Sequence, residues 1–166
     1  MTRRTVLWMI PLLVTLHNAE EALTFPRYLP RVAALLPSSV PAPTYPQMLV
    51  ALGVATVIPI LAAGWAHARP TSRTALWVLL LIQVVVLVNV VSHLVVATLV
   101  LHDYAPGLAT ALVLNLPFSV HLLRRAARER WVSRRALLAL VPSALVVHGP
   151  VLIGLILLAG RVVRHE

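Results

Sequence analysis

TALWVLLLIQVVVLVNVVSHLVVATLVL, running from Thr74 to Leu101, contains no Asp, Glu, Lys or Arg. A helix needs about 20 residues to cross the ~30 Å hydrocarbon core of a bilayer, so this run spans it with length to spare and implies tilt. Four more apolar runs stand around it, at Thr5–Leu23, Pro46–Ala68, Pro106–Leu123 and Ala136–Gly160. The chain therefore reads as all-α: a polytopic membrane helix bundle of about five transmembrane helices, folded as a single domain over 1–166. Pro117 is expected to kink the short fourth helix.

Composition agrees. Hydrophobic residues make up 60% of the chain and charged residues 11%, against roughly 25% charged in a soluble domain. The mean hydropathy is +0.90. All 14 basic residues are arginine, and they gather between the apolar runs as topology determinants do, which argues against nucleic acid as a partner. With no cysteine there are no disulfides, thiolate metal sites, iron–sulfur clusters or cysteine nucleophiles. Arg3 and Arg4 before an apolar run resemble a leader, yet no small-x-small cleavage site follows, so the segment reads as a retained first helix.

The connectors differ. Prolines at 26, 30, 37, 41, 43 and 46 look too many for a continuous helix, although 30–36 suits a short amphipathic turn. Arg69–Arg73 and His102–Ala105 are tight, and Arg124–Arg135 holds six arginines and Trp131. Placing the amino terminus inside puts ten arginines on the cytoplasmic side (3, 4, 69, 73 and those six). Four fall outside (27, 31, 161 and 164), so the sequence favours N-inside, C-outside. The expected location is a bacterial cytoplasmic membrane, with the lipid bilayer as surrounding partner.

Against this background one pentapeptide stands out. His17-Asn18-Ala19-Glu20-Glu21 puts two of the chain's five acids inside an apolar helix, with His17, Glu20 and Glu21 on one face. Ionisable groups at membrane depth are costly and commonly mark a site. Counting rise from the helix ends places them in the outer part of the first helix. Asn89 and His93 share a face of the third, His93 about 12 Å below its outer end. Asn115 falls at a similar depth, His148 near the middle of the fifth helix, and His102, Asp103 and Tyr104 above the layer. His67 and His121 fall at cytoplasmic ends, and His165 is terminal. Asn115 reads more readily as an interhelical hydrogen-bonder than as a ligand, and His148, before Gly149-Pro150, as a partner for a carbonyl the proline frees. The whole His/Glu group could also be buried hydrogen-bond glue, but no Arg or Lys in the outer halves of the helices offsets its two carboxylates.

These residues resemble the HXXEE family of small bacterial membrane proteins. Its name-giving motif stands here as His17-Asn-Ala-Glu20-Glu21, and a second signature, Y-x-P-G, as Tyr104-Ala105-Pro106-Gly107. The resemblance also implies a characteristic histidine at His93. It points to a membrane protein and a site, and leaves the reaction open. Physically, Pro106 suits a first helical turn, Gly107 a tight bend, and Tyr104 an interface.

Several chemistries fit. The first is a metal-dependent membrane enzyme holding one divalent ion, zinc or iron, through His17, Glu20, Glu21 and His93, with an open position for water or a lipophilic substrate. A di-iron centre would need about four carboxylates, more than this layer holds. Glu20, Glu21 and Tyr104 are the groups expected to act on substrate, supported by Asn89, His102, Asn115 and His148. The second is a metal-free acid/base isomerase or lipid-binding protein. The third is a proton- or cation-coupled transporter, which would need a homodimer and lacks any evident repeat. The last is an accessory membrane subunit.

Overall fold

The computed structural model describes residues 2–35 and 42–163, and five helices account for nearly all of them. These are α1 (Arg3–Leu35), α2 (Tyr45–Ala68), α3 (Arg73–Leu101), α4 (108–128) and α5 (134–163). No strand occurs among the described residues. Three helices, Tyr45–Ala68, Arg73–Leu101 and Arg134–Arg161, are long and apolar enough to cross a membrane. The polar motif and arginines of α1 and the arginines of α4 set those two helices apart.

Local signals explain most boundaries. Thr44 caps α2 in a reciprocal capping box with Gln47, while the Ser72 and Ser133 hydroxyls accept the Ala75 and Ala136 amides to start α3 and α5. Three helices contain π turns, at Val96–Leu101, Ala111–Asn115 and Val147–Val151. The last encloses Pro150, and the second lies just before Pro117. Missing proline amides favour such local rewinding of the hydrogen-bond ladder.

The structure corrects the sequence reading in three places. First, α1 does not stop near Leu23 but continues through Pro26 and Pro30 to Leu35. Pro26 cannot donate to the Ala22 carbonyl four residues back, and the Tyr45 hydroxyl donates to it instead, at 3.0 Å. Second, Pro106 lies in a turn ahead of α4, whose first helical residue is Leu108. Third, α4 runs on through Arg124, Arg125 and Arg128, so only 129–133 connect it to α5. The expectations for Leu36, Pro37, Pro41, Arg164 and His165 lie outside the described residues.

α3 sits centrally and touches each of the other four helices. The interface is rich in small buried residues, among them Ala62, Ala63, Ala75, Ala97, Ala111, Ala126 and Ala144, which let helices approach closely. The exterior is strongly apolar: Leu23, Leu61, Leu99, Val113 and Leu138 are all well exposed. By contrast His17, Asn18, Gln83, His93, Asn115 and Ser119 are buried. Polar inside and apolar outside is the arrangement a lipid solvent favours. Two of these residues join helices directly, Gln83 donating to Ser119 at 2.6 Å and Asn18 to Thr56 at 2.8 Å.

Candidate metal centre

One helical turn separates His17 from Glu21, and α3 brings His93 against both. His93 Nε2 lies 3.1 Å from Glu21 Oε1 and 3.2 Å from His17 Nε2, and His17 Nε2 lies 3.7 Å from Glu21 Oε1. Two imidazole nitrogens and a carboxylate oxygen thus form a compact triangle, which among the described residues is the group able to hold a metal ion. Ligand atoms about 2.0–2.1 Å from a tetrahedral ion lie about 3.3 Å apart, and cis ligands of an octahedral ion lie about 3.0 Å apart. The observed edges fall close to both values.

The surrounding contacts orient the ligands. Thr110 Oγ1 lies 2.9 Å from His17 Nδ1, and the Asn89 amide nitrogen lies 2.8 Å from His17 Nε2. With Asn89 donating to Nε2, the His17 proton sits on Nδ1 and is given to Thr110. The distal N–H is thus engaged as in a metal-binding imidazole, and the Nε2 lone pair that Asn89 takes here is the one an ion would claim in its place.

Gly107 closes the triangle from the α3–α4 connection. The turn from Ala105 to Leu108 is closed by a 3.0 Å bond between Leu108 N and Ala105 O, and Gly107 takes φ 80° and ψ −4°. Those are the angles of the third residue of a type II turn, where glycine follows proline naturally. Packing adds a second requirement. A β-carbon there would stand 2.7 Å from His17 Cε1, 2.8 Å from Glu21 Cγ and 3.1 Å from His93 Cε1. The tight bend expected of Gly107 is thus also the point at which backbone presses onto all three ligand side chains.

Glu20 goes elsewhere. Its carboxylate accepts the backbone amides of Thr110, at 2.7 Å, and Ala109, at 3.1 Å, and also the Tyr104 hydroxyl. An anion at a helix start meets unpaired N–H groups and the positive end of the helix dipole, so Glu20 acts as a long-range cap for α4. The two neighbouring acids therefore separate: Glu21 faces the histidines, while Glu20 and Tyr104 hold the helix that carries Thr110. The other expected residues scatter around them. His148 Nε2 meets Ser92 Oγ at 2.9 Å on α3, rather than a carbonyl freed by Pro150. His102 is exposed with a left-handed backbone (φ 47°). Asn115, on the π turn that packs against α1 and α3, is buried with neither amide atom partnered.

Two contributions had little trace in the sequence. Thr110 is one of many threonines and shows its role only when α4 meets α1. Arg31, carried on the extended part of α1, pairs with Asp103 at 2.7 Å and ties the 102–107 connection to α1. A helical reading of 26–35 would have revealed it.

The fold and site define a class: a helical bundle with an apolar exterior and a two-histidine, one-carboxylate cluster enclosed near one end. The chain belongs to the HXXEE family; the profile of the family described as "Protein of unknown function with HXXEE motif" matches residues 8–122, a range containing the triangle, Glu20, Tyr104 and Gly107. The chain is also 31% identical over 104 residues to a Bacillus subtilis (strain 168) protein described as "Uncharacterized protein YrkK". That match covers 63% of each protein, so the chain spans somewhat under two thirds of this curated relative. No solved structure matches.

Proposed function

We propose that this protein is a metal-dependent membrane enzyme that holds one divalent ion, zinc or iron, through His17, Glu21 and His93. It would act on a lipophilic substrate. The observation that carries this reading is the triangle of ligand atoms with edges of 3.1, 3.2 and 3.7 Å. Three protein ligands leave a coordination position open, as catalytic sites require, and the ion would supply Lewis acidity to a bound water or substrate oxygen. Glu20 and Tyr104 serve as positioning residues, since their polar atoms engage α4 and hold Thr110 against His17. The donor and acceptor of Asn115 remain for a water or the polar end of a substrate. The apolar exterior supports a lipophilic substrate and a multi-pass place in the bacterial cytoplasmic membrane, with all five helices crossing. The excess of arginines at the opposite end of the bundle supports the cluster facing outward.

Elemental analysis of detergent-purified protein tests the proposal. The expected result is about one zinc or iron per chain, lost in His93→Ala and kept in Glu20→Gln. Protein purified gently and without stoichiometric metal would overturn it. A metal-free acid/base site is then the reading that remains, and one contact favours it: His93 Nε2 already bridges Glu21 and His17 within hydrogen-bond distance. Proton flux in proteoliposomes, lost in Glu21→Gln, would instead favour the proton-coupled transporter.

A further inference from the structure

A second site lies at the other end of the bundle. A cleft of about 960 Å³ opens between the starts of α3 and α5 and the end of α4. Arg73, Arg130 and Arg134 line it together with Trp77, Trp131 and Leu137. All three arginines are exposed, and none of their guanidinium groups has a hydrogen-bond or ion-pair partner among the described residues.

Charge elsewhere does not relieve them. Glu20 is bound to the start of α4, Glu21 faces the histidines, and Asp103 pairs with Arg31. The remaining described carboxylate, Glu129, accepts from Arg125 Nε at 2.7 Å and from Trp131 Nε1 at 2.8 Å. That pair of bonds also builds the wall of the cleft. It holds Trp131 in place, with the Arg125 guanidinium 5.6 Å from the indole ring centre. Across the opening, the Trp77 indole donates to the Ala136 carbonyl at 3.3 Å and ties α3 to α5. The cleft therefore has a braced aromatic wall and three guanidinium groups with no counter-ion.

We propose that this cleft binds the phosphate head group of an anionic membrane lipid. Arginine forks match phosphate oxygens in pairs, and basic pockets between membrane helices on the cytoplasmic side commonly take such head groups. Trp77 and Trp131 suit the water–lipid boundary, where an indole keeps its ring in hydrocarbon and its N–H bonded. Leu137 and Val132, also on the lining, face the glycerol and acyl portion. The inference rests on the membrane placement proposed above and is independent of the metal.

Thermal melting of the full chain in a zwitterionic detergent tests it, with dioleoylphosphatidylglycerol, dioleoylphosphatidylcholine and inorganic phosphate as separate additions. The phosphatidylglycerol is expected to raise the melting temperature by about 5 °C at roughly 100 times its Kd, and the other two to do little. R73Q/R130Q/R134Q should abolish the shift, whereas the charge-matched R124Q/R128Q/R135Q, outside the cleft, should keep it. If the first triple variant does not fold, R73Q/R134Q is measured in its place with the same expectation. Equal shifts with both lipids, an equal shift with phosphate alone, or a shift that survives loss of the cleft arginines would each overturn the proposal. Protein that stays soluble without detergent would instead remove the membrane reading itself.

Discussion

At one end of the bundle, Glu20 and Glu21 are enclosed by imidazoles, backbone amides and a phenol, so each carboxylate is matched within the fold. At the other, Arg73, Arg130 and Arg134 flank an open cleft and are matched by nothing among the described residues. Depth accounts for the difference. A carboxylate set among apolar helices must find partners in the protein, because little water reaches it. A guanidinium at the bundle's end keeps its hydration and stays available to a ligand. Internal matching thus marks a site built to hold something small, and its absence marks one open to something from outside.

The largest way to break the enclosed end is Gly107→Ala. The new methyl meets His17 and Glu21 within 2.8 Å and forces a left-handed residue. The expected cost is about 2–4 kcal/mol, with metal content falling close to zero, read by thermal melting and elemental analysis. Next comes the split between the neighbouring acids. Glu21→Gln should abolish metal binding with a modest stability change. Glu20→Gln should retain the metal yet lose about 1–2 kcal/mol, because the α4 amides lose a charged acceptor. Equal metal loss in both variants would break the division of labour. A smaller effect is expected of Thr110→Val, which removes the partner of His17 Nδ1: metal affinity should weaken about 10–100-fold while the melting temperature moves little.

The smallest effect belongs to the exposed end. Hydrogen bonds from Arg125 first, and from Trp131 second, hold the Glu129 carboxyl below the usual carboxylate range. A lowered folded-state value means that this contribution to stability is present above the unfolded carboxylate pKa and lost as pH falls through the folded one. Glu129→Gln should therefore flatten the acid arm of the stability curve slightly, its exposure keeping the effect small. An unchanged acid arm would show that the Arg125–Glu129–Trp131 brace adds nothing measurable.

Much of this was legible in the sequence, for identifiable reasons. Long apolar runs gave α2, α3 and α5 because hydropathy is a local signal, although the serine and threonine caps that start them were not read. The spacing of His17 and Glu21, and the depth of His93, gave the triangle because helical rise converts position into height. The course of α1 past Leu23 was hidden, since the group that relieves Pro26 is the hydroxyl of Tyr45 on another helix. Glu20 was equally opaque: adjacent acids look alike until α4 arrives to claim one of them. Thr110 and Gly107 depend on the same docking of the 102–110 segment, which no periodicity encodes.

Gly107 carries a consequence for recognising this site in other chains. The cluster is written by two imidazoles, a carboxylate and one missing methyl group, and the last is as much a part of it as the first three. A protein with both histidines and the acid in register but any side chain at this turn should have its ligands pushed apart, whatever its overall likeness. The hydrogen on a backbone carbon then becomes a usable discriminator between chains that can close this cluster and chains that cannot.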